Sequence, residues 1–316
     1  MKFVLLILLS ISCYSYCQKA PIVYSLRLHE LGSDRKAIHF VSVSDRYLIK
    51  ENEDALAIPA KYLGQRTTPA EEHIILNGTY RQRCLTATNI SEDDVVYIYD
   101  YLKDKLLRFY VRGLNLVAVR NQYTSDRDRH ISHHDYHIGF QISSDYLGDY
   151  KDYHSHKLVS IGRSNPFTRG QIKPIAWSKV DSTQFPAGDK LILKNVWLVN
   201  GKSGETYQYQ SNAMTYFIQN IMINDGVAGR HLVVINTNTK AILFEQIYVD
   251  SEGGDPSLLN FVHPEYGDYL NQFTGQLFKN LPPVVFGFMD HSFGCPSIDF
   301  ITKNKERVYI HCDNRH

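Results

Sequence analysis

The chain is poor in the features that identify several classes of protein. Its 316 residues include only 5 cysteines and 2 tryptophans, and its 34 basic and 33 acidic residues give a net charge of +1. Proteins that bind nucleic acids or membrane surfaces usually carry a marked basic excess. The sequence therefore predicts no nucleic-acid partner.

Long apolar runs are missing after the amino end of the chain. Residues 3–11 form an apolar run that follows Lys2 and precedes the small-x-small triplet Ser15-Tyr16-Cys17. This order is typical of a cleaved secretory signal, which we assign to residues 1–17. No later run approaches the ~20 apolar residues that a membrane-spanning helix needs. We expect a secreted, extracellular protein that does not span a membrane.

Cysteine is too scarce for a scaffold held together by disulfides. Cleavage of the signal would leave Cys84, Cys295 and Cys312, an odd number in which one thiol stays unpaired or pairs between chains. Cys295 and Cys312 flank a short polar loop and a strand-like run, so we predict a bridge between them. Asn77 and Asn89 each begin an Asn-x-Ser/Thr triplet in polar surroundings, and both are predicted glycosylation sites.

Catalytic and nucleotide-binding motifs are also lacking. The chain has no G-x-S-x-G, no G-x-G-x-x-G and no G-x-x-x-x-G-K. Asp290, His291 and Ser292 are sequence neighbours, whereas the acid-base-nucleophile relay is assembled from separate segments. We therefore assign no catalytic residue and favour a non-enzymatic protein.

Short apolar runs separated by Gly, Asn, Asp and Ser predict a β-rich domain from residue 18 to residue 186, with an antiparallel sheet or a sandwich. The predicted strands are residues 37–43, 95–99, 106–119, 138–143 and 172–177. An alternative for residues 101–108 is a helical turn, because leucines there are spaced as in a helix. The sequence FPAGD at residues 185–189 marks the predicted domain boundary.

Residues 187–316 are predicted to form a smaller α/β module. Residues 191–200, 206–223 and 283–289 have the character of strands, and two apolar runs at 232–235 and 241–249 predict a hairpin. Asp255 as N-cap and Pro256 at the first helical position predict a helix beginning there. The fold class expected for the whole chain is α+β, with a mixed sheet and at least one packed helix in the module.

Several short motifs follow one another between residues 221 and 293. They are Gly229-Arg230-His231 leading into LVVIN, a strand ending near Tyr248 and Asp250, Gly254-Asp255 before Leu-Leu-x-Phe, and PVVFGFMDHS. In this order they resemble the interleukin-like epithelial-mesenchymal transition inducer domain, also called the GG domain, of pancreatic-derived-factor-like proteins. The chain departs from that family where it lacks the bracing cysteines and has His231 in place of a glycine. The resemblance implies a secreted binding or signalling protein.

The glycine pair supplies a candidate binding site. A helix N-terminus behind Gly253 and Gly254 would present N–H groups to a polar ligand. The acidic residues beside the pair disfavour an anion, so a hydroxyl-rich ligand such as a glycan fits better. The predicted binding residues are Gly253, Gly254, Asp255, Tyr248 and Asp250. The alternative is a positive-φ turn that needs no ligand.

The segment HISHHDYH, residues 130–137, concentrates metal-ligating side chains. On a strand, His133, Asp135 and His137 would share one face, and on a helix the spacing of the histidines would align them instead. Imidazole favours zinc or copper, and the nearby carboxylates favour calcium. The predicted metal ligands are His133, Asp135 and His137, and the cofactor would be a zinc or calcium ion. The alternative is an exposed polar loop.

Three hypotheses for function follow. The first is a secreted, non-enzymatic glycoprotein that recognises a glycan or a cell-surface partner. The second is a metal-dependent secreted hydrolase that uses residues 130–137. The third is an extracellular-matrix component whose Tyr, Asp and His loops bind mineral or form crosslinks.

Overall fold

A computed structural model describes most of the chain. The described residues are 20–31, 36–47, 57–63, 71–121, 123–124, 131–147, 156–186, 198, 200–211, 213–263, 265 and 269–314. The predicted signal peptide, His130 and nearly all of the strand predicted at residues 191–200 lie outside them. Within the described residues the chain forms 21 β-strands and one α-helix.

The first half of the described chain contains eleven strands and the helix. They are β1 (Val23–Ser25), β2 (Arg27–Leu31), β3 (Lys36–Ser42), β4 (His73–Ile75), α1 (Thr79–Thr88), β5 (Val95–Asp100), β6 (Lys105–Tyr110), β7 (Leu116–Arg120), β8 (Tyr136–Ile142), β9 (Lys157–Gly162), β10 (Ile172–Pro174) and β11 (Ser178–Val180). The second half contains ten strands. They are β12 (Lys202–Ser211), β13 (Met214–Ile223), β14 (Gly226–Asn236), β15 (Ile242–Val249), β16 (Gly254–Pro256), β17 (Phe273–Gly275), β18 (Val284–Phe286), β19 (Met289–His291), β20 (Ser297–Phe300) and β21 (Arg307–His311).

These strands form four sheets. The largest has the order β10-β17-β18-β20-β21-β1-β9-β5-β6, and it is accompanied by two five-stranded sheets, β2-β3-β8-β7-β4 and β11-β12-β13-β14-β15, and by the pair β16-β19. Among the described strands, β1 and β21 pair in parallel and every other pairing is antiparallel.

The central strands of the nine-stranded sheet pack on both faces, and successive side chains of a strand point to opposite sides. In β5, Val96 and Ile98 pack into a core shared with the first five-stranded sheet, while Tyr97 and Tyr99 pack into a second core on the other side. In β18, Val285 packs towards the sheet β11–β15, opposite its two neighbours in the strand. Each five-stranded sheet therefore covers a different part of the central sheet.

The predicted fold class, α+β with a packed helix in the carboxyl-terminal module, is wrong. Strands dominate both halves, and the segment expected to begin a helix at Pro256 is the end of β16. Ser257 continues this pairing with an N–H donated to Phe288 O (3.0 Å). Phe261 then has a φ of 62°, which no continuing right-handed helix permits.

A buried amide network explains why the chain turns there. The side chain of Asn260 donates to Gln272 O (2.7 Å) and Ile175 O (3.1 Å), and its oxygen accepts from Asn271 N–H (2.7 Å). Asn260 and Gln272 are both fully buried. A buried amide must satisfy its donors and acceptors, so these contacts override the local helix signal.

The helix that does form lies where sequence analysis assigned no helix or strand. α1 follows Gly78, whose φ is 54°, and ends at Asn89 in the left-handed conformation. It buries Cys84, Leu85 and Thr88 against the first core. Residues 77 and 89, the two predicted glycosylation sites, flank this helix.

Several predicted strands are divided in the structure. The run at 106–119 splits into β6, a short 3-10 turn and β7, and the run at 206–223 splits into β12 and β13. The segment at 283–289 is interrupted by Gly287, whose φ is 82°. Residues 101–104 form a turn followed by β6, which removes the helical alternative for residues 101–108.

The predicted hairpin forms from β14 and β15. Leu232, Val234 and Phe244 are buried in the core under the second five-stranded sheet. Ile242 is exposed at the start of β15. Strands from both sides of residue 186, the predicted end of the first domain, pair with each other. β10 pairs with β17 in the nine-stranded sheet, and β11 pairs with β12 in the second five-stranded sheet.

The predicted disulfide between Cys295 and Cys312 is confirmed, with their Cα atoms 5.5 Å apart. Cys84 is a buried free thiol, and burial raises its pKa to about 12. The described part of the chain has no helix with the length and hydropathy needed to cross a membrane.

Replacing Gly287 by alanine should destabilise the protein strongly. A Cβ at this position would stand 1.8 Å from Asn271 O, and the φ of 82° is one that L-residues rarely adopt. We expect Gly287→Ala to lower the free energy of unfolding by at least about 2 kcal/mol in urea titrations. The control Gly113→Ala, where a Cβ meets no atom within 4 Å, should change it by less than about 0.5 kcal/mol. Equal stability of the two variants would contradict this account.

Candidate functional site

The predicted binding residues surround a two-stranded ribbon made by β16 and β19. Gly254 pairs with His291 and Asp255 with Asp290. Ser251 and Gly254 close the preceding turn by mutual backbone hydrogen bonds of 3.0 and 3.1 Å. Gly253 and Gly254 are not among the residues with positive φ. The glycine at 254 has a packing reason instead, because a Cβ there would stand 2.7 Å from Asp290 O.

Carboxyl groups gather on this ribbon. The side chains of Asp250 and Asp255 are hydrogen-bonded to each other, and this bond raises the pKa of Asp250, with smaller effects from burial and from the charge of Asp255. Two carboxyl groups that share a proton avoid the repulsion of two adjacent negative charges. Asp290 lies directly across the ribbon from Asp255. The three acids therefore form one exposed acidic group.

An exposed aromatic ring stands beside these acids. The backbone N–H groups of Ser292 and Phe293 both donate to Gly253 O, at 3.1 and 3.2 Å. Phe293 is 54% exposed. We call β16, β19, Asp250 and Phe293 together the acidic ribbon. Sequence analysis considered Asp290 in a catalytic relay and within the motif PVVFGFMDHS, and it did not single out Phe293.

Tyr248 does not belong to this surface. Its ring stacks on Phe288, with centroids 4.9 Å apart, and its hydroxyl donates to Asp299 Oδ2 (3.2 Å). Burial raises the pKa of Tyr248 well above its ordinary value. Of the five predicted binding residues, Tyr248 thus points into the core while the other four lie at the ribbon.

The predicted metal ligands are separated by their local structure. The Asp135 carboxylate accepts from Ser132 N–H (2.7 Å) and from the Ser132 hydroxyl (3.1 Å), so it caps its own 3-10 turn. His133 packs against His134, with ring centroids 4.5 Å apart. His137 follows in β8, where its Nδ1 lies 3.7 Å from Asp313 Oδ2. The described residues contain no group of three or more His, Cys, Asp or Glu side chains arranged to hold a metal ion.

A buried polar cluster links the carboxyl end of the chain to β3 and β8. Asp313 is 2% exposed, and its Oδ2 accepts a 2.7 Å hydrogen bond from the Ser42 hydroxyl. The Asp313 N–H donates to Asp45 Oδ2 (3.0 Å), which also lies 3.5 Å from His311 Nδ1. Here the carboxylate stands between a serine and His137, whereas nucleophilic catalysis requires the histidine in the middle. The cluster holds segments together rather than forming a relay.

Other histidines line the first five-stranded sheet. His29 in β2 is hydrogen-bonded to the backbone of Arg120, and burial lowers its pKa, with smaller contributions from Arg27 and His73. His73 in β4 contacts the Gln141 amide oxygen through Nε2 (3.0 Å). Arg120 lies in β7, three strands from the edge strand β2, so the contact of His29 shows that the sheet curls. The histidines are scattered in sequence, and no spacing signal could have predicted that they approach one another.

Comparison of the chain with protein-family models, curated proteins and solved structures found no match in any of the three. The resemblance to the GG domain therefore stays a prediction from sequence motifs. The helix that this resemblance implied after Gly254 does not form.

The stability of the protein should depend on pH through Asp45. Burial favours the neutral acid, but hydrogen bonds with His311 and from Asp313 N–H outweigh it and lower the pKa of Asp45 below its ordinary value. A depressed folded-state pKa stabilises the fold above the unfolded pKa of about 3.9, and this stabilisation is lost as the pH falls through the folded pKa. Asp45→Asn should lower the free energy of unfolding at pH 7 and differ less from the wild type near pH 3.

Urea titrations at several pH values between 7 and 3 would measure this dependence. The exposed Asp225 offers a matched control, because Asp225→Asn removes the same charge and should leave the pH profile unchanged. Parallel profiles for the wild type and Asp45→Asn would show that the Asp45 contacts contribute nothing.

Proposed function

We propose that this chain is an exported glycoprotein that acts, without catalysis, as a binding protein for a glycan or a glycan-bearing cell-surface partner. The observation that carries the proposal is the acidic ribbon. It combines the exposed ring of Phe293 with the paired carboxyls of Asp250 and Asp255 and with Asp290 across the strand pair.

The chemistry of the ribbon fits a hydroxyl-rich ligand. Carboxyl oxygens accept hydrogen bonds, and sugar hydroxyls supply donors. An exposed aromatic face offers apolar contact area to the C–H surface of a pyranose ring. The accumulated negative charge disfavours an anionic ligand at this place, which leaves a neutral glycan as the ligand class.

Export is supported by two independent features. The disulfide between Cys295 and Cys312 is of a kind that persists in oxidising compartments. Asn77 and Asn89 are both exposed, as an acceptor for a bulky glycan must be.

Both asparagines should carry N-glycans when the protein is made in eukaryotic cells. Enzymatic removal of N-glycans should lower the apparent mass on gels, and Asn77→Gln and Asn89→Asp should each remove part of that shift. Aspartate is chosen at 89 because the residue has a φ of 54°, which Asn and Asp tolerate best. Asn115→Asp, outside any acceptor triplet, should leave the shift intact. A secreted protein whose mobility does not respond to deglycosylation would refute the assignment.

Glycan binding should depend on Phe293. On a glycan array, Phe293→Ala should weaken binding of the mature protein to its best neutral glycan by about tenfold or more, because it removes the aromatic contact. Asp255→Asn should weaken it as well. Tyr110 is equally exposed, at 54%, so Tyr110→Ala serves as the matched control and should bind as the wild type does. Binding that survives Phe293→Ala, or the absence of any glycan ligand, would overturn the proposed site.

A further inference from the structure

A cleft opens between the β5–β6 hairpin and the 3-10 turn at residues 144–146. It is a shallow depression of about 60 Å³, open to solvent, which is smaller than the ~300–1,000 Å³ typical of sites that enclose a whole small molecule. Among the described residues, those at its edge include Lys103, Lys105, Lys157 and the carboxylate of Asp100. The cleft is built on the nine-stranded sheet, whereas the acidic ribbon is a separate strand pair.

The Asp100 carboxylate is already engaged by other groups of the protein. Asp100 Oδ1 accepts the backbone N–H of Lys103 (2.9 Å), and its Oδ2 pairs with Lys157 Nζ at 3.3 Å. Both side chains of that pair are largely buried, at 9% and 15% exposure. The pair holds the hairpin turn in place and leaves the other two lysines without its negative charge.

The next carboxylate along the hairpin points away from the cleft. Asp104 Oδ1 accepts from Gly170 N–H (2.7 Å) and from the Tyr99 hydroxyl (3.0 Å), while Oδ2 pairs with Arg169 at 3.3 Å. Burial opposes ionisation of Asp104, but these hydrogen bonds and the charge of Arg169 outweigh it and lower its pKa. Asp104 therefore stays charged, and its carboxylate binds groups on the side of the hairpin opposite the cleft.

Lys103 and Lys105 consequently face the cleft as a pair of like charges. Among the described residues, neither ammonium group has a carboxylate within 4 Å. Two positive charges at a concave surface focus the electric potential and raise the local concentration of anions. An anion bound between them would relieve their mutual repulsion.

The wall of the cleft is apolar and aromatic. Tyr146 is 58% exposed, and its ring is held by an edge contact with Phe109, with centroids 5.2 Å apart. Leu107 and Leu147 extend the same wall. A fixed, exposed aromatic face beside cations is suited to a ring that carries negative substituents, more than to a compact inorganic anion.

We propose that this cleft binds an acidic saccharide, with a sulfate or carboxylate group between Lys103 and Lys105 and the sugar ring against Tyr146. The site goes beyond the proposed function, because it would bind negatively charged ligands, which the acidic ribbon disfavours. It shares with that function only the extracellular setting.

The test is calorimetric titration of the mature protein with a defined sulfated tetrasaccharide and with the same tetrasaccharide after desulfation. The sulfated form should bind, and the desulfated form at least tenfold more weakly. The double variant Lys103→Gln/Lys105→Gln should lose about tenfold or more in affinity. Lys279→Gln/Lys303→Gln removes the same charge from exposed positions elsewhere and should bind as the wild type does. Equal losses in both double variants would reduce the effect to general polyanion attraction and overturn the proposal.

The aromatic wall is tested separately. Tyr146→Phe keeps the ring and should retain affinity within about twofold, whereas Tyr146→Ala should lose several-fold. If inorganic sulfate or phosphate competes as strongly as the tetrasaccharide, the cleft is a simple anion site and the saccharide assignment is wrong. Phe293→Ala should leave sulfated-saccharide binding intact, so this inference and the proposed function fail by different measurements.

Discussion

The parallel ladder between β1 and β21 is the constraint on which the rest of the fold depends. Val23 pairs with Ile310 and Tyr24 with His311, and no other described pairing joins β10-β17-β18-β20-β21 to β1-β9-β5-β6. Without this ladder the central sheet would be two smaller sheets, each with an additional open edge. The contacts that follow β21 secure it, since Cys312 is tied to Cys295 and Asp313 is buried against Ser42.

Burial of the central sheet on both faces explains which strands could be predicted from the sequence. Strands with two buried faces read as continuous apolar runs, and such a run at residues 95–99 became β5 of the central sheet. The run at residues 138–143 became β8, which lies in the first five-stranded sheet and is buried along most of its length. Their neighbours could not be predicted. The β1–β21 ladder joins the two ends of the described chain, and local patterns carry no information about pairings so distant in sequence. The bridge of Cys295 and Cys312 was predictable because the two residues flank a short loop and one strand.

The predicted site residues that the structure does not bring together share one physical cause, which is that a local polar or apolar contact fixes the conformation of each. Asp135 has the right spacing from His137 for a metal site, yet its carboxylate is used by Ser132 N–H. The Asp255-Pro256 pair is typical of a helix start. No helix forms, because Asn260 and Gln272 satisfy their hydrogen bonds with each other in a turned conformation of the chain. Tyr248 lies near the end of β15 on its buried side, and its ring packs on Phe288. The close approach of Asp290 O, and not a positive φ, explains the glycine at 254.

Net charge was the least informative property for function. A total of +1 indicates no charged partner when it is read over the whole chain, yet the fold separates the charges locally. Asp250, Asp255 and Asp290 lie together on the ribbon. The acids beside Lys103 and Lys105 are bound by Lys157, by Arg169 and by backbone N–H groups. A sequence shows how many charges a segment holds, but only the hydrogen bonds show which of them remain available to a ligand. Asp100 and Asp104 are bound by other groups of the protein, whereas Lys103 and Lys105 face the cleft. Residues 100–105 therefore present a positive surface although they contain two acids and two lysines.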